Sequence, residues 1–481
     1  MICPAPTLCG QLNAFQKIML QWSSLHPYNA AHVFKIAGPL RAGDLVECIE
    51  TTFRRHGLGI AHLSADGQTF RHETEIHAEI ETLAGGDDPE SMVKEHLARA
   101  LNRSFDRPEM RPFRFAAVDA GPQSHYVVLA YDHWVADANA ARLVLRSVLA
   151  QYLPQAIPPE EDPLELYPGT YREVFGQRLR GGQLALSALR AVKEWNRNRS
   201  AWRVACWSNT QWEIDYRLYS TIPGTAARLR EFARANGATV NDVLLAAFGQ
   251  ALAEVMPSRG RRNGLALGSI VDTRSIADED LSHSLGAFLG YYLVRSDPVA
   301  AQGLDEATRQ IAARTRPIKA RHRYLDSLVN MQFVNTVWPW LSTKTRQHFM
   351  RKSLPMSGGM SNVVVRDAWM NDHRDVLLDY HRGVSTGPSM PIVLSPTTFG
   401  DHLNVGVSYR IAGFSRAKID ALMEMFRDQI EHPNKASRGQ RQGMPAARPP
   451  HVPSRIVGTS ENGVRDAVAA APHAGNACFS E

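Results

Sequence analysis

The chain has 481 residues, of which 44% are apolar and 21% charged, the balance of a soluble globular protein with room for two domains that each bury a core. Its net charge of +6 is mild, enough to favour anionic partners but no argument for nucleic acid. No run of about 18 apolar residues occurs, and residues 1–6 lack the basic-then-apolar pattern of a secretory leader, so neither a membrane span nor secretion is expected.

Residues 12–20 begin a helix, and 32–36 read as the first strand. Apolar residues at helical spacing predict a second helix over 44–53 and a third over 89–105, with Pro89 suited to a first turn. Residues 112–118 and 125–131 alternate around Ala120-Gly121-Pro122-Gln123, the pattern of an antiparallel hairpin. Its second strand delivers Tyr131-Asp132-His133-Trp134-Val135-Ala136-Asp137-Ala138, and helical spacing resumes over 139–149. His133 and Asp137 therefore stand where a strand stops and a helix starts, a position from which polar groups are aimed into clefts. Each also has a plain structural reading, His133 as a hydrogen-bonded strand-end residue and Asp137 as the cap of the next helix.

Residues 154–169 are rich in proline and acid and read as a linker. Residues 171–203 read as a basic helix, in which Arg172, Arg178, Arg180, Arg190, Lys193, Arg197, Arg199 and Arg203 face only Glu173 and Glu194. A solvated surface accounts for that charge, and so would a landing strip for a carrier protein, a CoA phosphate or an anionic membrane. The pattern restarts at Gln211, with a strand over 213–222 and a helix over 225–235 that stops before Asn236-Gly237. An apolar helix over 243–255 follows, with Thr239 able to cap it and Asp242 able to reach back. A strand over 265–274 ends in Arg274, and Ser284-Leu285-Gly286-Ala287-Phe288-Leu289-Gly290 comes next. Beyond His432 the Pro-, Ala-, Gly- and Arg-rich composition predicts a disordered tail.

The H-x-x-x-D of His133 and Asp137, after an apolar strand, resembles the active-site motif of the condensation-domain and CoA-dependent acyltransferase superfamily. That superfamily includes the chloramphenicol acetyltransferases, the wax ester synthases and the condensation domains of peptide synthetases. Gln16 in the first helix, followed by Pro27-Tyr28-Asn29, resembles the opening of such proteins, and Thr239-Val240-Asn241-Asp242-Val243-Leu244-Leu245-Ala246 resembles the "T-x-N-D-x-x-L-A" helix of their second half. Arg274 with the turn at Leu285-Gly286 resembles their arginine-ended strand and "L-G-N" turn, with Ala287 where asparagine is usual; residues 360–365, with Ser361-Asn362, resemble their "S-N" strand, and 405–409 and 415–431 resemble their last strand and closing helix. The resemblance runs over residues 10–432. It implies an α/β (α+β) fold of two chloramphenicol acetyltransferase-like subdomains, each a mostly antiparallel or mixed sheet flanked by helices, forming a V with a central tunnel. The expected boundaries are 1–170 for the first, 171–210 for a basic connector, 211–433 for the second and 434–481 for the tail.

The resemblance further implies transfer of an acyl group from a CoA or carrier-protein thioester to a hydroxyl or amine of a small-molecule acceptor, in natural-product or lipid biosynthesis. His133 would be the general base, and Asp137 would hold its loop by pairing with Arg274. Ser361 and Asn362 would serve the oxyanion or line the acceptor side, or else merely end a strand. Two residues depart from the full "H-H-x-x-x-D-G" motif. Asp132 replaces its first histidine and either orients the imidazole, raises its pKa or points outward; Ala138 replaces its glycine and narrows the approach to the backbone; both are expected, with Ser361 and Asn362, to serve the oxyanion or line the substrate. These departures carry the alternative reading, a catalytically silent module that binds a carrier protein or partner enzyme. A third reading is a lipid acyltransferase making peripheral membrane contact through the basic helix. The plant-type "D-F-G-W-G" motif is missing, and no G-x-S-x-G, Walker or H-E-x-x-H pattern occurs. Cys3, Cys9, Cys48, Cys206 and Cys478 and the 18 histidines lack disulfide or ligand spacing, so the expectation is a cytoplasmic monomer with no metal and no tightly bound cofactor.

Overall fold

The first helix, α1 (Ala14–Ser23), starts where Asn13 and Gln16 cap each other: Gln16 N–H donates to Asn13 Oδ1 at 2.9 Å, and Asn13 N–H donates to Gln16 Oε1 at 3.0 Å. The computed structural model describes residues 9–73, 78, 80–105, 109–158, 164–166, 174, 182–204, 212–257, 263–297, 303–387 and 389–435. Part of the expected linker, Arg172, Arg178 and Arg180 of the expected basic helix, and all but the first two residues of the expected tail lie outside them.

Five strands make the first sheet. Its centre is the expected hairpin, here β3 (Phe113–Asp119) and β4 (Ser124–Asp132), with β1 (Asn29–Ala37) antiparallel to β4 and β2 (Ile80–Ala84) parallel to β3. Alternation divides the two faces. Phe34, Leu129, Tyr131 and Phe115 pack with helices α2 (Ala42–His56) and α4 (Ala138–Tyr152), whereas Val33, Ala116, Val128 and Ala130 pack against Val93, Leu97 and Leu101 of α3 (Pro89–Asn102). Each fully buried side chain of this size contributes about 1.5–3 kcal/mol.

Helix α5 (Gly182–Asn198) precedes a second sheet built from residues after 212. Its strands are β5 (Ile214–Ser220), β6 (Leu265–Asp272), β7 (Leu289–Ser296), β8 (Gly358–Met360), β9 (Val363–Val364), β11 (Ile392–Phe399) and β12 (His402–Arg410). Pairing is antiparallel for β5–β12, β11–β12 and β6–β7, and parallel where β8 bridges β6 and β11. Both of these large sheets are flanked by helices, with a four-stranded and a two-stranded sheet beside them among the described residues, so the mixed α/β class holds. Thr239 and Asp242 form a capping box at the start of the helix Val240–Glu254, and Lys319 Nζ lies 2.7 Å from Asp242 Oδ1.

Three differences from the sequence expectation bear on the site. The strand expected over 360–365 is two short strands, β8 and β9, separated at Ser361 and Asn362. Arg274 lies just past its strand, in a 3₁₀ turn (Arg274–Ile276). And β10 (Leu377–Val384), although it lies deep in the second half of the sequence, is the edge strand of the first sheet, antiparallel to β1 with Arg382 opposite His32. A cut at 170 or 211 therefore does not separate two self-contained sheets. Backbone hydrogen bonding explains the exchange: β10 covers an edge of β1 that would otherwise present unpaired groups.

Candidate active site

His133 follows β4 directly, and its backbone N–H donates to Tyr28 O at 3.1 Å. Its Nδ1 lies 3.0 Å from the Ala136 carbonyl. A carbonyl can only accept, so Nδ1 carries the hydrogen and Nε2 keeps its lone pair. Among the described residues Nε2 has no hydrogen-bond partner. The Tyr28 ring stacks on the imidazole, with centroids 5.4 Å apart and planes 13° from parallel. Burial is the main influence on its pKa and pushes it below the usual histidine value; the Ala136 bond and Asp137 oppose that shift without reversing it. The result is a neutral imidazole with one basic nitrogen left open.

Asp137 both caps a helix and pairs with an arginine. Its Oδ1 accepts Asn139 N–H at 3.0 Å and Ala140 N–H at 2.9 Å, capping α4. Its Oδ2 accepts Arg274 Nη1 at 2.6 Å and Phe288 N–H at 2.9 Å, and its own N–H donates to Gly286 O. A two-oxygen fork with Arg274 does not form, because the cap already uses one oxygen. Burial works against the charge, but Arg274 and the N–H donors outweigh it and hold the carboxyl below the usual range. Arg274 spends its other donors on Leu281 O, Ser284 O and Asp272. The Leu285–Phe288 turn serves the site through its main chain, which is why Ala287 can stand there: its carbonyl accepts Asn13 Nδ2 at 3.1 Å. Gly286 has φ +145, a conformation that favours glycine.

A cavity of about 250 Å³ opens beside His133. Both sheets and α1 contribute to its wall, including His32, Tyr131, His133, Asp137 and Ala138 from one half and Asp272, Ser361, Asn362 and Arg382 from the other. The wall is mostly apolar. Asn362 Oδ1 is buried there without a hydrogen-bond partner. Ser361 N–H is committed to Leu394 O and its carbonyl to Arg382 Nη2, leaving the hydroxyl as its free-standing polar group. Asp132 differs from the expectation of a lining residue. It is buried at 2% exposure and is absent from the cavity wall, because it shares the alternation of Val128 and Ala130 on the α3 face.

Sequence reasoning gave no role to Arg142, Asp272 or Arg382. Arg142 Nε lies 3.0 Å from Asp367 Oδ2 and its Nη2 donates to Asn139 Oδ1, tying α4 to the second half. Its signal was an arginine inside the apolar run of α4; that of Arg382 was an arginine in a strand whose neighbours are buried. His32 sits between Tyr380 OH (2.8 Å) and Tyr131 OH (3.2 Å), and burial keeps it neutral.

The sequence profile of the condensation domain matches residues 208–335. No curated protein matches. Among solved structures, the EpoB cyclization-docking bidomain of a Sorangium cellulosum nonribosomal peptide synthetase is similar at 15% identity and a TM-score of 0.61, over 90% of this chain and 87% of that one. The condensation domain of the monacolin K polyketide synthase MokA gives 12% identity and 0.61, over 90% of this chain and 99% of its own. SgcC5 of Streptomyces globisporus gives 15% and 0.61, over 88% and 98%. The chain therefore has the fold of the condensation domains and carries their sequence pattern over residues 208–335.

Proposed function

We propose that the protein is an acyltransferase that moves an acyl group from a CoA or carrier-protein thioester to a hydroxyl or amine, with His133 as general base. The observation that carries this reading is the open Nε2 of a neutral, oriented imidazole on the wall of a cavity shared by both halves. The acceptor's O–H or N–H gives its proton to Nε2 as its oxygen or nitrogen bonds the thioester carbon. The tetrahedral intermediate then collapses, the C–S bond breaks, and the imidazolium returns the proton to the leaving thiolate. A base so placed is typically worth about 10²–10⁴-fold in rate. Asp137 and Arg274 position the loop and take no proton. Asn362 and the Ser361 hydroxyl serve the polar groups of the bound substrate. The apolar wall limits water, which would otherwise hydrolyse the donor.

The fold supports the reaction class, since condensation domains join acyl groups to amines or hydroxyls. SgcC5, solved with an aryl-1,2-ethanediol, supports a free small-molecule acceptor. The test is transfer from acyl-CoAs and acyl-loaded carriers to a panel of alcohols and amines, read by mass spectrometry. Wild type should give product and His133→Ala should lose at least about 100-fold. Equal traces from both would make the protein a silent binding module instead.

A further inference from the structure

Two arginines line the cavity, and their electrostatic situations differ. Arg142 is balanced by Asp367 at 3.0 Å. Arg382 is 5% exposed, and among the described residues no carboxylate lies within ion-pair distance of it. Its Nε donates to Thr397 Oγ1 at 3.0 Å, and its Nη2 donates to Ser361 O at 2.8 Å and Pro396 O at 3.3 Å. These neutral acceptors fix the plane of the guanidinium without neutralising it. Nη1 donates to no described residue. Position completes the picture. Arg382 stands opposite His32 on β10, on the face that carries Tyr131 and leads to His133, so its free edge belongs to the same cavity as the base.

A buried cation held by neutral groups and left with an unused donor edge is a half-built ion pair. We propose that the missing half is a carboxylate on the acceptor: Arg382 Nη1 binds it while the acceptor's hydroxyl or amine faces His133. The cavity's size and apolar wall favour a small hydroxy or amino acid with an apolar body. The wall's other carboxylates do not compete for Arg382, since Asp137 is saturated and Asp272 is engaged with Arg274. The assignment rests on the acyltransferase reading for the word acceptor, but carboxylate binding can be measured without any donor.

The experiment is isothermal titration calorimetry of the full chain with apolar 2-hydroxy, 3-hydroxy and 2-amino acids, each paired with its methyl ester. Wild type should bind at least one acid, at least about tenfold more tightly than its ester, and Arg382→Met should lose that preference. Because Arg382→Met also takes a donor from Thr397 Oγ1, Ser361 O and Pro396 O, its melting temperature is measured beside its binding and the comparison is made below that temperature; Arg382→Lys should keep part of the preference. His133→Ala, whatever its absolute affinity, should keep the preference for acid over ester, which separates failure of the base assignment from failure of this one. Binding of no acid, or equal binding of acids and esters, overturns the proposal. So does an Arg382→Met variant that loses transfer to acid and ester acceptors alike, since the arginine would then serve the oxyanion.

Discussion

Arg274 Nη1 lies 2.6 Å from Asp137 Oδ2, an ion pair that joins residues 137 apart in sequence, and the same oxygen accepts Phe288 N–H at 2.9 Å. Both partners are buried, with side-chain exposures of 7% and 1%. The pair thus ties the loop after β4 to the turn after β6, and His133 rides on that loop.

Removing Arg274 should be severe. Arg274→Met leaves the Asp137 carboxylate buried with only its cap and one further N–H, at a cost of roughly 3–5 kcal/mol in urea denaturation. The pH profile offers an independent check. The carboxyl is depressed in the folded state, so its contribution is fully present above the unfolded value of about 3.9 and is lost as pH falls through the lower folded value. Arg274→Met should lack that acid-side loss.

Buried histidines should make the protein acid-sensitive well above the carboxylate range. Burial pushes His56, His72 and His381 down to about 4 and His26 to about 3, and it lowers His133 as well. For these groups the unfolded chain binds protons first, so stability is full above about pH 6.5 and declines as pH falls toward 4. Urea midpoints measured from pH 7.5 to 4 should fall over that window. The rate should show an acid limb below pH 6.5 in kcat/KM, since the base stays neutral to lower pH than a free imidazole.

Ala138 is the first residue of α4 and its methyl meets the cavity. Ala138→Gly should raise transfer to bulkier acceptors while costing no more than about 1 kcal/mol of stability. Transfer rates across acceptors of graded size would check this, and a uniform effect would count against a role in access.

Asn362→Ala separates function from stability. Its Oδ1 is buried without a partner, so truncation removes a penalty and should leave the melting temperature unchanged or higher. If that oxygen serves bound substrate, KM should rise about tenfold, equivalent to about 1.4 kcal/mol. A loss of stability instead would make it structural.

Local features were legible because they depend on near neighbours in the chain. The hairpin β3–β4 follows from alternation, the capping box of Thr239 and Asp242 from residue type and spacing, and Asp137 as a cap from its place before α4. The likeness to condensation domains rested on the order of such short patterns along residues 10–432. Contacts between distant segments were not legible, since nothing in Leu377–Val384 says that it will pair with Asn29–Ala37 and leave the sheet built by its sequence neighbours. Only the tertiary structure decided that Arg142 meets Asp367, and that Arg382 arrives in the cavity of His133 with no carboxylate within ion-pair distance among the described residues. The physical reason is that a strand's pattern specifies which residues share a face, whereas the partner that face meets is chosen by closing the whole core.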